Sequence, residues 1–378
     1  MQAIINGKLI LPDVVVENKI ILIENGKITQ IVDVLPTEAD IIDAKGLFVA
    51  PGFVDVHIHG SKGCDVMDGT TEGLLTIARS IAKFGTTSFL PTTLTMAKKD
   101  IYNALDTITS LKNAPTQGAE ILGAHLEGPF INVAFKGAQN PDYIIKPDFQ
   151  WIKDYSDTIK LITYAPEMDE NLEFTKQVKE NTNATLSMGH SAATYKQALD
   201  AIAEGCSHVT HLFNGMPSLH HREPGILGAA LTQDVYTELI ADKIHVNEHL
   251  FQFVLDNKGE KKIVLITDSM RAGCMKDGIY DLGGQDVFVE NNKAVLKDGT
   301  LAGSILTMND AVKNFYLSTN ATLSQAVHAA SLNPAASINQ AHLKGSLEVG
   351  KDADIIFIDD DFNCLFTIVK GEIVFKNL

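Results

Sequence analysis

Apolar positions fall into two textures along the chain. In the first fifty residues, short runs rich in Ile and Val ("AIINGKLILP", "KIILIENGKITQIV", "GLFVAPG") are broken by Asn6-Gly7 and Asn25-Gly26. Both residues of Asn-Gly tolerate positive φ, so the spacing predicts strands joined by tight hairpins. The C-terminal stretch "GSLEVGKDADIIFIDDDFNCLFTIVKGEIVFKN" repeats the texture, with turns expected at Gly350 and Gly371. The simplest arrangement pairs the two ends into one small β-domain and inserts the rest of the chain between them.

From residue 52 to about 340 the apolar runs alternate with amphipathic ones. "FVDVHIHG" precedes "TEGLLTIARSIAKFG", which has Thr70 or Thr71 as cap and Gly85 as stop. "ATLSMGHS" precedes "TYKQALDAIAEG", where Thr194 and Gln197 form a capping box and Gly205 ends the helix. Eight strand candidates can be counted, most of them followed by a helix. Near-continuous apolar strands fit a sheet covered on both faces, and strand–helix alternation argues for parallel strands with right-handed crossovers. A doubly wound open sheet would carry G-x-G-x-x-G after its first strand, and none is present there. The α/β class is therefore read as a (β/α)8 barrel, with a short β insertion near 274–300.

Composition narrows the function classes. At 378 residues, 45% of them hydrophobic, the chain can build a barrel of about 250 residues plus a smaller domain. The formal charge is −16 and no Lys/Arg-rich run occurs, which argues against a nucleic-acid partner. An anionic substrate would have to be held by a few placed cations. Cys64, Cys206, Cys274 and Cys364 are scattered without a C-x-x-C pair, which fits a reducing compartment. No signal peptide and no membrane-length apolar run is read, so a cytoplasmic protein without membrane contact is expected.

Metal-capable side chains recur at strand ends, where a barrel gathers its chemistry. His57 and His59 close the first strand at a spacing that points both imidazoles the same way. Glu127 closes the third strand, and no Lys or Arg stands at another strand end to pair with it. His190 and His211 follow on the fifth and sixth strands, completing a Glu/His/His set that suits a catalytic metal with one position open. His125 shares a face with Glu127 one layer deeper and is read as structural. Asp268 closes the eighth strand, either as a metal ligand or as the base that takes a proton from water and returns it to the leaving group. Zn, Fe, Mn and Co all accept such a set.

These residues, with "PGFVDVHIHG", "HLEGPF", "GHS", "THLFNGMPSLHHREPG", "ITDSM", "GTLAGSILTM" and "GSLEVGKDADIIFID", give the chain a resemblance nearly end to end. It resembles the amidohydrolase superfamily, and within it the deacetylases of N-acetylated amino-sugar phosphates. The resemblance implies a (β/α)8 barrel over 52–343 and a small β-sandwich made of 1–51 and 344–378. It implies a homodimer that hydrolyses N-acetylglucosamine 6-phosphate to glucosamine 6-phosphate and acetate, with one or two divalent metals per subunit. Glu127, His190 and His211 would hold the principal metal. His57 and His59 would hold a second, with Glu127 bridging. Asp268 matches the catalytic acid/base. Substrate contacts would come from Asn214, Gly215, His245, Leu301 and Ala302, with Arg222 clamping phosphate; without the motif, Arg222 reads as a surface ion pair with Glu223. Gln139 stands where some relatives carry histidine and would hydrogen-bond a sugar or phosphate oxygen. Two alternatives stay open: another amidase of the superfamily, or a barrel that binds without catalysing.

Overall fold

The computed structural model describes every residue of the chain except Asn113. Eight parallel strands, with the two-residue parallel strand Glu120–Ile121 beside the second of them, carry the middle of the chain among the described residues: β1 (Phe53–Ile58), β2 (Thr86–Pro91), β3 (Ala124–Glu127), β4 (Ile159–Tyr164), β5 (Thr185–Met188), β6 (His208–Val209), β7 (Tyr236–Ile240) and β8 (Ile263–Ile266). β3 to β8 pair in sequence as one sheet, and β1 pairs with β2 in another. Single parallel bridges join the two sheets, Thr92 with His125 on one side and Ile58 with Ser269 on the other. Every residue of β1 is buried, Asp55 and His57 included, so its polar side chains must find partners inside the protein.

Local sequence explains the helices between the strands. α1 (Thr71–Ala82) starts at Thr70, whose hydroxyl accepts from the Gly73 N–H. The helix Tyr195–Ala203 begins with the reciprocal Thr194/Gln197 box, and the chain leaves it through Gly205 at φ 117°. The β3-to-β4 crossover holds only 3-10 turns, at Val133–Phe135, Pro141–Tyr143, Phe149–Trp151 and Lys153–Tyr155. That crossover is the irregular loop that walls the site described below. The 274–300 segment is an antiparallel sheet, Gly278–Leu282, Gln285–Glu290 and Lys293–Leu296. Its Leu282, Val287 and Val289 pack with Leu94, Met270 and Ala302.

The strands of the two chain ends pair with each other. Ile355–Ile358 runs antiparallel to Phe48–Pro51, with Ile356 opposite Ala50, in a six-stranded sheet. A four-stranded sheet of N-terminal strands packs with it around Ile4, Leu9, Ile21, Val49, Ile355 and Phe357. Asn25-Gly26 makes the expected two-residue hairpin turn, with Glu24 opposite Lys27 and φ of 50° and 75°. Asn6-Gly7 does not, because the strands on either side of it, Gln2–Ile5 and Lys8–Ile10, belong to different sheets. Glycine is required there by proximity: a Cβ on Gly7 would lie 2.3 Å from Val49 Cγ2. Among the described residues no helix is long and apolar enough to cross a membrane.

Candidate functional site

Six of the expected side chains meet at the carboxyl ends of the strands. His57 lies in β1 and His59 just beyond it, Glu127 ends β3, and His190, His211 and Asp268 each follow their strand by two residues. The last three have left-handed backbone, with φ of 48°, 26° and 48°. Such conformations cost a non-glycine residue about 1–3 kcal/mol and persist only where the surroundings impose them. Here they occur together at the ends of three strands, which marks the region as built for something other than stability.

Glu127 is the centre of the cluster. Its Oε1 lies 3.1 Å from His190 Nε2, 3.2 Å from His211 Nε2 and 3.4 Å from His57 Nε2. Its Oε2 lies 3.3 Å from His59 Nε2, and Asp268 Oδ1 is also 3.3 Å from that nitrogen. The remaining ring nitrogens are all engaged from behind. Nδ1 of His59, His190 and His211 faces the carbonyl oxygens of Thr92, Phe135 and Asn214 at 3.2, 2.8 and 3.1 Å. A carbonyl only accepts, so each Nδ1 carries the hydrogen, and the Nε2 lone pair of the neutral ring points at the centre. His190 and His211 then face each other Nε2 to Nε2 at 3.1 Å, and His57 and His59 at 3.3 Å. Lone pairs at that separation, ringed by carboxylates, repel unless a positive charge lies between them. Of the four sets among the described residues whose donor atoms lie within 4.8 Å of one another, His57/His59/Glu127 and Glu127/His190/His211 face a cavity, His57/His125/Glu238 lies behind them, and Glu120/Asp352/Asp354 surrounds Lys344. The donor chemistry of the first two fits divalent metal ions.

A proton can supply that positive charge in place of an ion. Burial opposes charge on His59, yet Asp268 and Glu127 push its pKa up to about 9. Burial likewise opposes charge on His57, but Glu238, Glu127 and Asp268 hold it well above its ordinary value. The carboxyl of Asp268, raised by burial, is pulled down to about 2 by His57 and His59. Buried carboxylates are compensated only by positive charge at the middle.

A cavity of about 220 Å³ opens onto this cluster, lined by His59, Glu127, His190, His211 and Asp268 with Asn214, Gly215, His245 and Leu301. His245 Nδ1 is held by Asp242 Oδ2 at 2.7 Å, which leaves Nε2 for an occupant of the cavity. Three expected substrate contacts are placed differently. Gln139 reaches the cavity, but its amide spans the protein: Oε1 accepts from Thr95 N–H and Nε2 donates to Glu127 Oε2, both at 2.7 Å. Its geometry is that of a brace on Glu127. Ala302 is fully buried against Met270 and Leu282, and its neighbours Leu301 and Gly303 line the wall instead. Arg222 is exposed, outside the cavity of its own chain, with NH1 2.7 Å from His221 Nε2 and no ion pair to Glu223 among the described residues. His125 behaves as expected, with Nε2 2.7 Å from Thr163 Oγ1 and Nδ1 3.0 Å from the Val56 carbonyl. Burial and His57 push it down to about 3, so it is neutral. Asp242 and Glu238 were not anticipated. Glu238 carried a signal in principle, an acid inside the apolar run of β7.

Residues 48–374 match the amidohydrolase family. The chain is 40% identical over 372 residues to N-acetylglucosamine-6-phosphate deacetylase of Bacillus subtilis, covering 96% of this chain and 94% of that one. Among solved structures it is similar to N-acetylglucosamine-6-phosphate deacetylase from Pasteurella multocida, with TM-score 0.92, 32% identity, and 98% and 99% of the two chains covered. It is also similar to an aspartate-to-alanine variant of the Mycobacterium smegmatis deacetylase in complex with N-acetyl-D-glucosamine-6-phosphate, with TM-score 0.92, 28% identity and 99% of each chain covered. A match over this much of the chain assigns membership: the chain belongs to the amidohydrolase family.

Proposed function

We propose that this protein hydrolyses N-acetylglucosamine 6-phosphate to glucosamine 6-phosphate and acetate, a step of amino-sugar catabolism. The observation that carries the reading is the convergence of Glu127, His190 and His211 beside Asp268 on one cavity. The similarity to deacetylases of this substrate supports it. The architecture proposed with it is a closed (β/α)8 barrel over 52–343 carrying a terminal β-sandwich of 1–51 and 344–378. The end-to-end strand pairing and the bridges at Thr92 and Ile58 support that division.

Glu127, His190 and His211 would hold one divalent cation, of Zn, Fe, Mn or Co, and His57 and His59 a second shared through Glu127. The cation supplies a Lewis acid for the acetyl carbonyl and lowers the pKa of water. Asp268 Oδ1, on the cavity wall, takes a proton from the water that adds to the acetyl carbon. It delivers that proton to the sugar nitrogen as the C–N bond breaks, so a neutral amine and acetic acid leave, the carboxylate is restored, and the acid's own proton is then lost to solvent or to the amine to give acetate. A carboxylate pulled down to about 2 starts in the proton-accepting form. Burial opposes charge on His245, but Asp242 behind it raises its pKa, and the protonated ring presents Nε2–H to the carbonyl oxygen or a neighbouring substrate oxygen. Asn214, Gly215 and the backbone beside Leu301 frame the sugar and the acetyl group. Arg222 lies outside its own cavity, which fits a homodimer in which a partner's loop completes the phosphate site.

The test is acetate and free-amine release from N-acetylglucosamine 6-phosphate. Equimolar products, lost on chelation and regained with a divalent ion, support the reading. Hydrolysis of unphosphorylated amides with the phosphorylated sugar untouched would favour a different amidase. Binding without release would make the protein a non-catalytic barrel.

A further inference from the structure

Behind the metal-binding cluster lies a second acid that no part of the proposed reaction uses. Glu238, in β7, is completely buried, with no Lys or Arg within ion-pair distance among the described residues. A charge in that position is very costly unless something nearby depends on it. A single oxygen, Oε2, accepts two hydrogen bonds at 3.0 Å: from the Nδ1–H of His57, and from the backbone N–H of His211. The first partner belongs to the His57/His59 half of the cluster. The second is the left-handed residue, φ 26°, that presents its imidazole to the other half. Oε1 makes no hydrogen bond and lies 3.8 Å from His208 Nδ1, so the whole bonding capacity in use is directed at the two half-sites.

We propose that Glu238 is a positioning residue that makes the His57/His59 half competent to hold its ion and ties that half to the backbone of His211 in the other. The proposal rests on the metal reading above. Its physical content is twofold. A carboxylate behind an imidazole fixes the ring's tautomer and orientation and raises the basicity of the nitrogen in front. The same oxygen also fastens the kink at His211, so neither half can shift without pulling on the other. Of the four ligating imidazoles, only His57 is backed by an acid; the other three have carbonyls.

Glu238→Gln separates this role from plain packing, because glutamine keeps the shape and an accepting oxygen but removes the charge. Metal-free protein is titrated with Zn and with Co, and ions per chain are counted after equilibrium dialysis, with the Co absorption spectrum recorded at each step. The expected result is two ions in the wild type. In Glu238→Gln the second ion should bind 10- to 100-fold more weakly while the first is little changed. Glu238→Ala should weaken both. The melting temperature of metal-free Glu238→Gln is recorded beside the titration to show that the chain still folds, and ion binding is the deciding readout. A residue that merely packs would leave ion binding unchanged whatever the melting temperature, and that result overturns the proposal. So does a wild type that saturates at one ion, although the deacetylase reading then stands. A wild type that binds no ion removes the metal reading itself.

Discussion

Asp268 and Glu238 are both buried acids near imidazoles, yet at the level of single residues they should fail differently when neutralised. Asp268 faces the cavity, with Oδ1 3.3 Å from His59 Nε2, and the proposed reaction has it pass a proton between water and substrate. Asp268→Asn keeps the size and removes the base. Turnover should fall on the order of 10²–10⁴-fold with ion content unchanged; steady-state rates beside elemental analysis check both, and a loss of metal would instead make Asp268 a ligand. The site's metal-capable residues were legible in the sequence because each interrupts an apolar strand end, where a bare charge or imidazole needs a reason. Gln139 is expected to meet a sugar or phosphate oxygen; its amide also engages Glu127 and Thr95, a direction that spacing alone does not give. Glu238 escaped because it is embedded in β7. Only the register that sets it behind His57 reveals its use.

Elements were legible where a local rule acts alone. The Thr194/Gln197 box forms as the spacing requires, and two of the four otherwise unpaired amides at that helix start are served by it. Thr194→Ala should therefore cost about 1 kcal/mol of stability, read by chemical denaturation, with no change in turnover. Asn25-Gly26 also obeys its local rule, whereas Asn6-Gly7 is overruled by sheet assignment: its flanking strands leave for different sheets, and Val49 claims the space a side chain would need. The β3-to-β4 crossover was equally opaque, because a chain of 3-10 turns has no period to detect. That irregular loop supplies Phe135, whose carbonyl holds His190, and Gln139, which holds Glu127.

Over the whole molecule, one buried cation ties the C-terminal segment to the middle of the chain. Lys344 is 2% exposed and forms ion pairs with Glu120, just before β3, and with Asp352 and Asp354 at 2.9 and 2.8 Å. Lys344→Met would leave the buried Asp354 without an ion-pair partner, and Glu120 and Asp352 with only the more exposed Lys370 and Lys27, and should lower stability by about 3–5 kcal/mol. Burial works against the Lys344 charge, but Asp354 and Glu120 hold its pKa above the ordinary lysine value. A raised lysine contributes stability that is whole below the unfolded value of about 10.4 and is lost as pH climbs through the folded one. The gap between wild type and Lys344→Met in denaturant melts should stay constant from neutral pH to about pH 9 and narrow above pH 10. A gap that grows with pH would contradict the assignment.

Anomalous scattering from crystals of the active, metal-loaded protein tests the central claim most directly, because it locates the ion without reference to activity. The account predicts a peak at the metal's absorption edge in contact with Glu127, His190 and His211, at about 2.0–2.2 Å from each ligand atom. Crystals of fully active protein with no such peak among those three side chains would contradict it.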